Sequence, residues 1–261
     1  MDLGLRGKVA MVSGGSRGLG RAIAQALAEE GVSVSICART AEAVAAARAE
    51  LSQASLRSGG TGAGGFVGDV TRPADVEAWL AGVVREYGGV DVLVNNAGSA
   101  RPGALAELPD SAWEEEFGLN LFAPVRLARL VAPHMEKPVG GSIINIGSIY
   151  GRESGGPLTY NASKAALHSF TKMLAREFAP KRIRVNAIAP GSILYPGGSW
   201  ERMFKENPAF ERDFISHELP GGRLGRPEEV AYAVLMLASP RASWITGACI
   251  PVDGAQGRSI V

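Results

Sequence analysis

Apolar positions follow two alternating rhythms along the chain. Lys8–Ser13, Val32–Ala38, Phe66–Val67, Val90–Asn95, Ser142–Ile146, Ile183–Ala189 and Ala248–Val252 are short runs rich in strand-forming residues and read as strands. Longer stretches with helical spacing separate them. They are Gly18–Glu30, stopped by Gly31, the Ala-rich Ala41–Leu56, a segment capped by Thr71 and running to Tyr87, Pro157–Ala179, and a helix after Pro227. Ser111-Ala-Trp-Glu114 reads as a capping box opening one long helix toward Met135. Ser58–Gly65 reads as a glycine-rich loop. Strands alternating with helices predict an α/β fold, a doubly wound parallel sheet of about seven strands with helices on both faces. No repeat or linker interrupts it, so residues 1–261 are read as a single domain.

Composition narrows the class. A chain of 261 residues that is 46% apolar has enough material for a large core and is not disordered. Its 27 basic and 26 acidic residues leave a net charge of +1, which argues against a nucleic-acid or acidic-membrane partner. No apolar run reaches membrane-spanning length, and the N-terminus lacks a signal-peptide pattern. Two distant cysteines, Cys37 and Cys249, suit a reducing compartment, so a cytoplasmic location is expected. His134, His168 and His217 show no metal-ligand spacing, and no metal is expected. His168 reads as a packing residue.

In a doubly wound sheet, ligands bind beyond the carboxyl ends of the strands. The first strand ends in Ser13-Gly14-Gly15-Ser16-Arg17-Gly18-Leu19-Gly20, and a helix follows at once. Glycines let backbone N–H groups approach a phosphate, and the helix N-terminus adds partial positive charge. A Walker A loop is excluded, because Arg21-Ala22 stand where Lys-Ser/Thr belongs. An acidic residue ending the second strand would select NAD through the ribose hydroxyls. Here that strand ends Cys37-Ala38-Arg39, and Arg39 together with Arg17 points to the 2′-phosphate of NADP(H).

Tyr160 and Lys164 lie at i,i+4 on one helix face. A nearby cation favours the phenolate and makes a tyrosine a workable general acid or base. Ser148 follows the fifth strand directly and can hold a substrate oxygen at the same edge. A serine-hydrolase elbow is excluded, because Ile149-Tyr150 follow Gly147-Ser148.

Taken together, these residues resemble the short-chain dehydrogenase/reductase family over nearly the whole chain. Residues 13–20 resemble its Thr-Gly-x-x-x-Gly-x-Gly loop. Asp69-Val70 resembles the acidic position beside adenine, and Asn95-Asn96-Ala97-Gly98 the Asn-Asn-Ala-Gly motif. Pro190-Gly191 resembles the turn after the sixth strand, and Thr246-Gly247 with Val252-Asp253-Gly254 the closing segment. The resemblance implies a Rossmann-type fold, with Asn120, Ser148, Tyr160 and Lys164 as the catalytic tetrad. It implies a cofactor site at Gly14, Ser16, Arg17, Gly18, Leu19, Gly20, Arg39, Asp69, Val70, Asn96, Ala97, Gly98, Tyr160, Lys164, Pro190, Gly191 and Ile193. Asn120 would hold a water linking Lys164 to solvent.

One departure is Tyr195, which stands where the family often has a Thr touching the nicotinamide side. Ser192 or the Ile193 backbone is left to replace that contact. The expected activity is reversible NADPH-dependent reduction of a carbonyl to an alcohol, with 3-oxoacyl-carrier-protein as first substrate guess. The expected assembly is a homotetramer. Residues 192–220, with Trp200, Met203 and Phe204 on one short helix face, are read as a substrate lid. The alternative is a catalytically silent dinucleotide-binding regulator or scaffold, but such proteins usually lose the Tyr, Lys or Ser kept here.

Overall fold

A computed structural model describes residues 2–137 and 139–260. Seven strands form one all-parallel sheet: β1 (Val9–Ser13), β2 (Ser33–Ala38), β3 (Ala63–Val67), β4 (Val92–Asn95), β5 (Gly141–Ile146), β6 (Ile183–Pro190) and β7 (Cys249–Val252). Their order is β3-β2-β1-β4-β5-β6-β7. The chain builds outward from β1 to one edge, returns, and builds outward again from β4. The direction of winding therefore reverses between β1 and β4, where such sheets open a crevice for ligands.

Nine helices cover the sheet and its carboxyl edge among the described residues: α1 (Gly18–Glu29), α2 (Ala41–Arg57), α3 (Pro73–Tyr87), α4 (Asp110–Phe117), α5 (Ala123–Met135), α6 (Leu158–Phe178), α7 (Ser199–Glu206), α8 (Pro208–Glu218) and α9 (Pro227–Ala238). Strand side chains alternate between two cores. Ala10 and Val12 pack with α1, α2 and α9 on one face, and Met11 packs with α3, α5 and α6 on the other. Trp79 is buried in the second core, and its indole N–H reaches Ser35 Oγ at 2.9 Å, so a hydroxyl inside the sheet is paired.

Four local expectations are corrected. β3 begins at Ala63, inside the stretch read as a loop, because backbone pairing with β2 needs no large side chains. Ser111 and Glu114 form no capping box. α4 starts one residue earlier, behind Pro109, with no side-chain cap. Thr71 does not cap α3; its hydroxyl donates to Asp69 Oδ1 at 2.7 Å, and Pro73 opens the helix instead. The long helix expected from Ser111 is also interrupted by a π-helical turn, Gly118–Phe122, centred on Asn120.

Candidate active site

Nearly every candidate residue lies just past the carboxyl end of a strand. The glycine loop follows β1, Arg39 follows β2, Asp69 and Val70 follow β3, Asn96–Gly98 follow β4, Ser148 follows β5, and Pro190–Ile193 close β6. Asn120, Tyr160 and Lys164 come from the π-turn and α6.

The glycine loop is held from β4. Asn96 Nδ2 donates to the Ser13 carbonyl at 2.9 Å and the Gly14 carbonyl at 3.3 Å, and Ser13 Oγ accepts the Asn96 and Ala97 N–H groups. The Asn96 side chain therefore shapes the loop. A Cβ on Gly20 would sit 2.3 Å from the Gly14 carbonyl oxygen, so only glycine lets α1 approach this closely. Gly18 takes φ +54°, and a Cβ there would strike the Tyr195 ring at 2.7 Å. α1 has no side-chain cap at Arg17, and Arg21 N–H to the Arg17 carbonyl opens its helical bonding. Its first-turn N–H groups thus have no intrahelical acceptor and suit a diphosphate. These residues fit a dinucleotide.

Arg17 and Arg39 are both exposed, on loops leaving paired strands in which Ser13 lies opposite Cys37. Burial pushes the Asp69 carboxyl up. Hydrogen bonds from Thr71, with Arg39 and Arg72 nearby, outweigh that effect and hold it below its ordinary value. Val70 is buried in the second core.

On the other side of the crevice, Ser148 is buried and opens the turn 149–151, accepting the Tyr150 N–H at 3.2 Å. Burial raises the Tyr160 phenol above its ordinary value and outweighs the lowering influence of the nearby Ser148 hydroxyl, with Glu116, Tyr195 and Tyr150 adding to the rise. Lys164 is buried and donates to the Ile146 carbonyl at 2.7 Å, with Nζ 5.6 Å from the Tyr160 ring centroid. Burial pushes its ammonium down to about 8, while Glu116 works the other way. The balance of these influences keeps the Tyr160 phenol protonated at neutral pH.

Asn120 is fully buried. Its Oδ1 accepts the Ser99 N–H at 3.0 Å, and its Nδ2 donates to the Ser99 carbonyl and to Ser163 Oγ, each at 3.0 Å. Ser163 Oγ in turn donates to the Tyr160 carbonyl at 2.9 Å. The π-turn thus ties the loop after β4 to α6.

Ser192 is taken by Gln256, which accepts its N–H at 2.7 Å and donates to its hydroxyl at 3.0 Å. Ile193 bridges Gly225 in parallel through the flanking Ser192 carbonyl and Leu194 N–H. Its own N–H and carbonyl therefore face away from Gly225. His168 fills the space left by two glycines, since a Cβ on Gly147 would sit 2.0 Å from its Nε2. Burial pushes its imidazole down to about 4, which agrees with a packing role. His217 is exposed and its Nδ1 lies 2.8 Å from the Asp213 carbonyl.

Sequence reading missed Glu116, Thr159, Ser163 and Gln256. Glu116 was hidden in the acidic run Glu114-Glu115-Glu116, which looks like a solvated face. The one available signal was its i−4 position relative to Asn120. Gln256 carries no motif at all.

A doubly wound sheet with a Ser–Tyr–Lys cluster facing a glycine loop across the winding reversal defines a dinucleotide-dependent oxidoreductase, and the chain belongs to the short-chain dehydrogenase/reductase family. Residues 14–255 match the family described as enoyl-(acyl carrier protein) reductase. The 3-oxoacyl-[acyl-carrier-protein] reductases FabG of Vibrio cholerae and Escherichia coli are each 40% identical over 97% of this chain and 98% of their own. The L-sorbose reductase of Gluconobacter frateurii, solved with NADPH and L-sorbose, is 34% identical, covers 100% of both chains, and superposes with a TM-score of 0.92. No helix among the described residues is long and apolar enough to cross a membrane.

Proposed function

We propose that the protein is an NADP(H)-dependent carbonyl reductase, reversible as an alcohol dehydrogenase. The observation that carries this reading is the grouping of buried Ser148 and Lys164 with Tyr160 at the carboxyl edge of the sheet, Lys164 Nζ lying 5.6 Å from the Tyr160 ring centroid. A substrate carbonyl oxygen is held by Ser148 and receives its proton from Tyr160. The raised phenol suits this role, because it stays protonated at neutral pH, and the substrate oxygen becomes basic enough to take its proton as negative charge develops there. Lys164 holds the nicotinamide ribose hydroxyls beneath Tyr160. Bound NADPH supplies the hydride. Asn120 keeps Ser99 and Ser163 fixed around this group through its three amide hydrogen bonds. Gly14, Ser16, Arg17, Gly18, Leu19 and Gly20 hold the diphosphate, with Arg17 and Arg39 on the 2′-phosphate. Asp69 and Val70 border the adenine, while Ala97 and Gly98 keep the cleft open. With Ser192 bound to Gln256, the Ile193 backbone takes the nicotinamide carboxamide.

Residues 192–220 act as the substrate lid. The FabG relatives put a 3-oxoacyl thioester first among substrates, and the sorbose reductase puts a ketose second. The unpaired cysteines suit the cytoplasm. Exposed apolar side chains, Phe122 on the π-turn, Met173 on α6 and Tyr232 with Met236 on α9, support a homotetramer. NADPH oxidation with 3-oxoacyl thioesters and ketoses tests the reading; no carbonyl-dependent oxidation with any of them would reject it.

A further inference from the structure

Glu116 is 2% exposed, four residues before Asn120 and under the catalytic helix. A buried carboxylate is costly unless it is paired and hydrogen-bonded. Its oxygens accept from the Ser99 hydroxyl, from Thr159 Oγ1 at 3.3 Å and from the Arg101 N–H at 3.3 Å. All three donors are neutral. The Arg101 guanidinium turns away to Glu115 at 2.6 Å. Lys164, itself 4% exposed, makes no direct ion pair with Glu116, but the carboxylate favours its charged form. Ser99 is gripped twice, by Glu116 at its hydroxyl and by Asn120 at both backbone groups. Thr159 immediately precedes Tyr160, so the same carboxylate touches both the loop after β4 and the start of the catalytic helix.

We propose that Glu116 is a positioning residue for the proton-transfer group, clamping Ser99 to Thr159 and serving as the buried counter-charge of Lys164. This rests on the Tyr160–Lys164 reading above. The titratable groups facing the cluster are known from each side. Lys164 and Tyr160 come from α6, Tyr150 and Tyr195 from the loops beside Tyr160, and Arg101 from the loop after β4. His168, the next turn of α6, is neutral above about 4. Glu116 favours the charged ammonium and the protonated phenol alike. Removing its charge lets both groups lose protons more readily.

The test is the pH profile of carbonyl reduction. In Glu116→Gln, the alkaline limb of kcat/KM should move to lower pH by roughly one unit, the scale of one close charge. Glu116→Asp, which keeps the charge, should retain the wild-type limb. The double variant Glu116→Leu with Ser99→Ala removes the carboxylate and its hydroxyl donor together, and should show the Gln shift even if the single Gln protein does not fold. A purely structural role would lower rate or thermal stability without moving the limb. Superimposed limbs in wild type and the neutral variants overturn the proposal. Tyr160→Phe run alongside separates the two failures: a fully active Phe protein rejects the Tyr160 reading itself, whereas an inactive Phe protein with unmoved limbs rejects only the role of Glu116.

Discussion

At the scale of single residues, burial shifts two proton affinities of the candidate site in opposite directions. The Tyr160 phenol is raised and the Lys164 ammonium is lowered to about 8. Below that pH Lys164 is charged and can hold ribose hydroxyls as a donor. As pH rises through about 8 in the free enzyme it becomes neutral, while Tyr160 keeps its proton. The expected outcome is an NADPH dissociation constant that rises above pH 8 in fluorescence titrations, with no matching change in Lys164→Met. Sequence showed the i,i+4 pair at once, because helical spacing is local. It did not show which effect wins at Tyr160, because desolvation depends on the residues packed around the phenol. It equally missed Glu116 and Gln256, whose partners at Ser99, Thr159 and Ser192 are distant in the chain.

At the scale of elements, the strands were legible because parallel strands are apolar on both faces, and their carboxyl ends then located the ligand crevice. Helix boundaries were less so. The run from Ala112 to Met135 reads as one continuous helix, so nothing local announced the π-turn at Gly118–Phe122; it is fixed by the bonds of Asn120 to Ser99 and Ser163. β3 was half missed because Ala63, Gly64 and Gly65 carry no strand-like side chains. The helix α6 packs His168 against the β5 end where Gly147 leaves room. Gly147→Ala should therefore cost roughly 1–3 kcal/mol by forcing the imidazole aside, measurable by urea unfolding. In the segment 192–220, Trp200 stacks on Phe214 at 4.5 Å and on Phe204 at 5.5 Å, and Leu219 and Leu224 complete a separate small core. These aromatics hold α7 and α8 together as a unit between Gly197 and Gly222, both at left-handed φ. Trp200→Ala should loosen the unit, raise its amide exchange relative to the sheet, and alter substrate ranking more than NADPH affinity. Exchange and kinetics unchanged on every substrate would show that the unit does not act as a lid.

At the scale of the whole molecule, winding outward twice from the centre of the sheet brings the glycine loop of β1 and the Ser148 end of β5 to one edge, on either side of β4. The cofactor preference belongs to this scale, since it depends on loops from β1 and β2 meeting one phosphate. Wild-type protein is expected to prefer NADPH over NADH, and Ala38→Asp combined with Arg39→Leu to reverse the preference. An equal or higher wild-type kcat/KM with NADH would contradict it. Exposed Met173, Tyr232, Met236 and Trp244 on the outer faces give the assembly its expected contact surfaces. Light scattering should report a tetramer, and a monomer-sized particle at micromolar concentration would count against that assembly.

The most direct measurement is carbonyl-dependent NADPH oxidation by wild type and Tyr160→Phe, with cofactor binding followed in parallel. The Phe side chain keeps the ring and removes the donor, so turnover should fall by ~10²–10⁴ while NADPH affinity is largely retained. A Phe protein that keeps half the wild-type rate would contradict the assignment of Tyr160 as the acid.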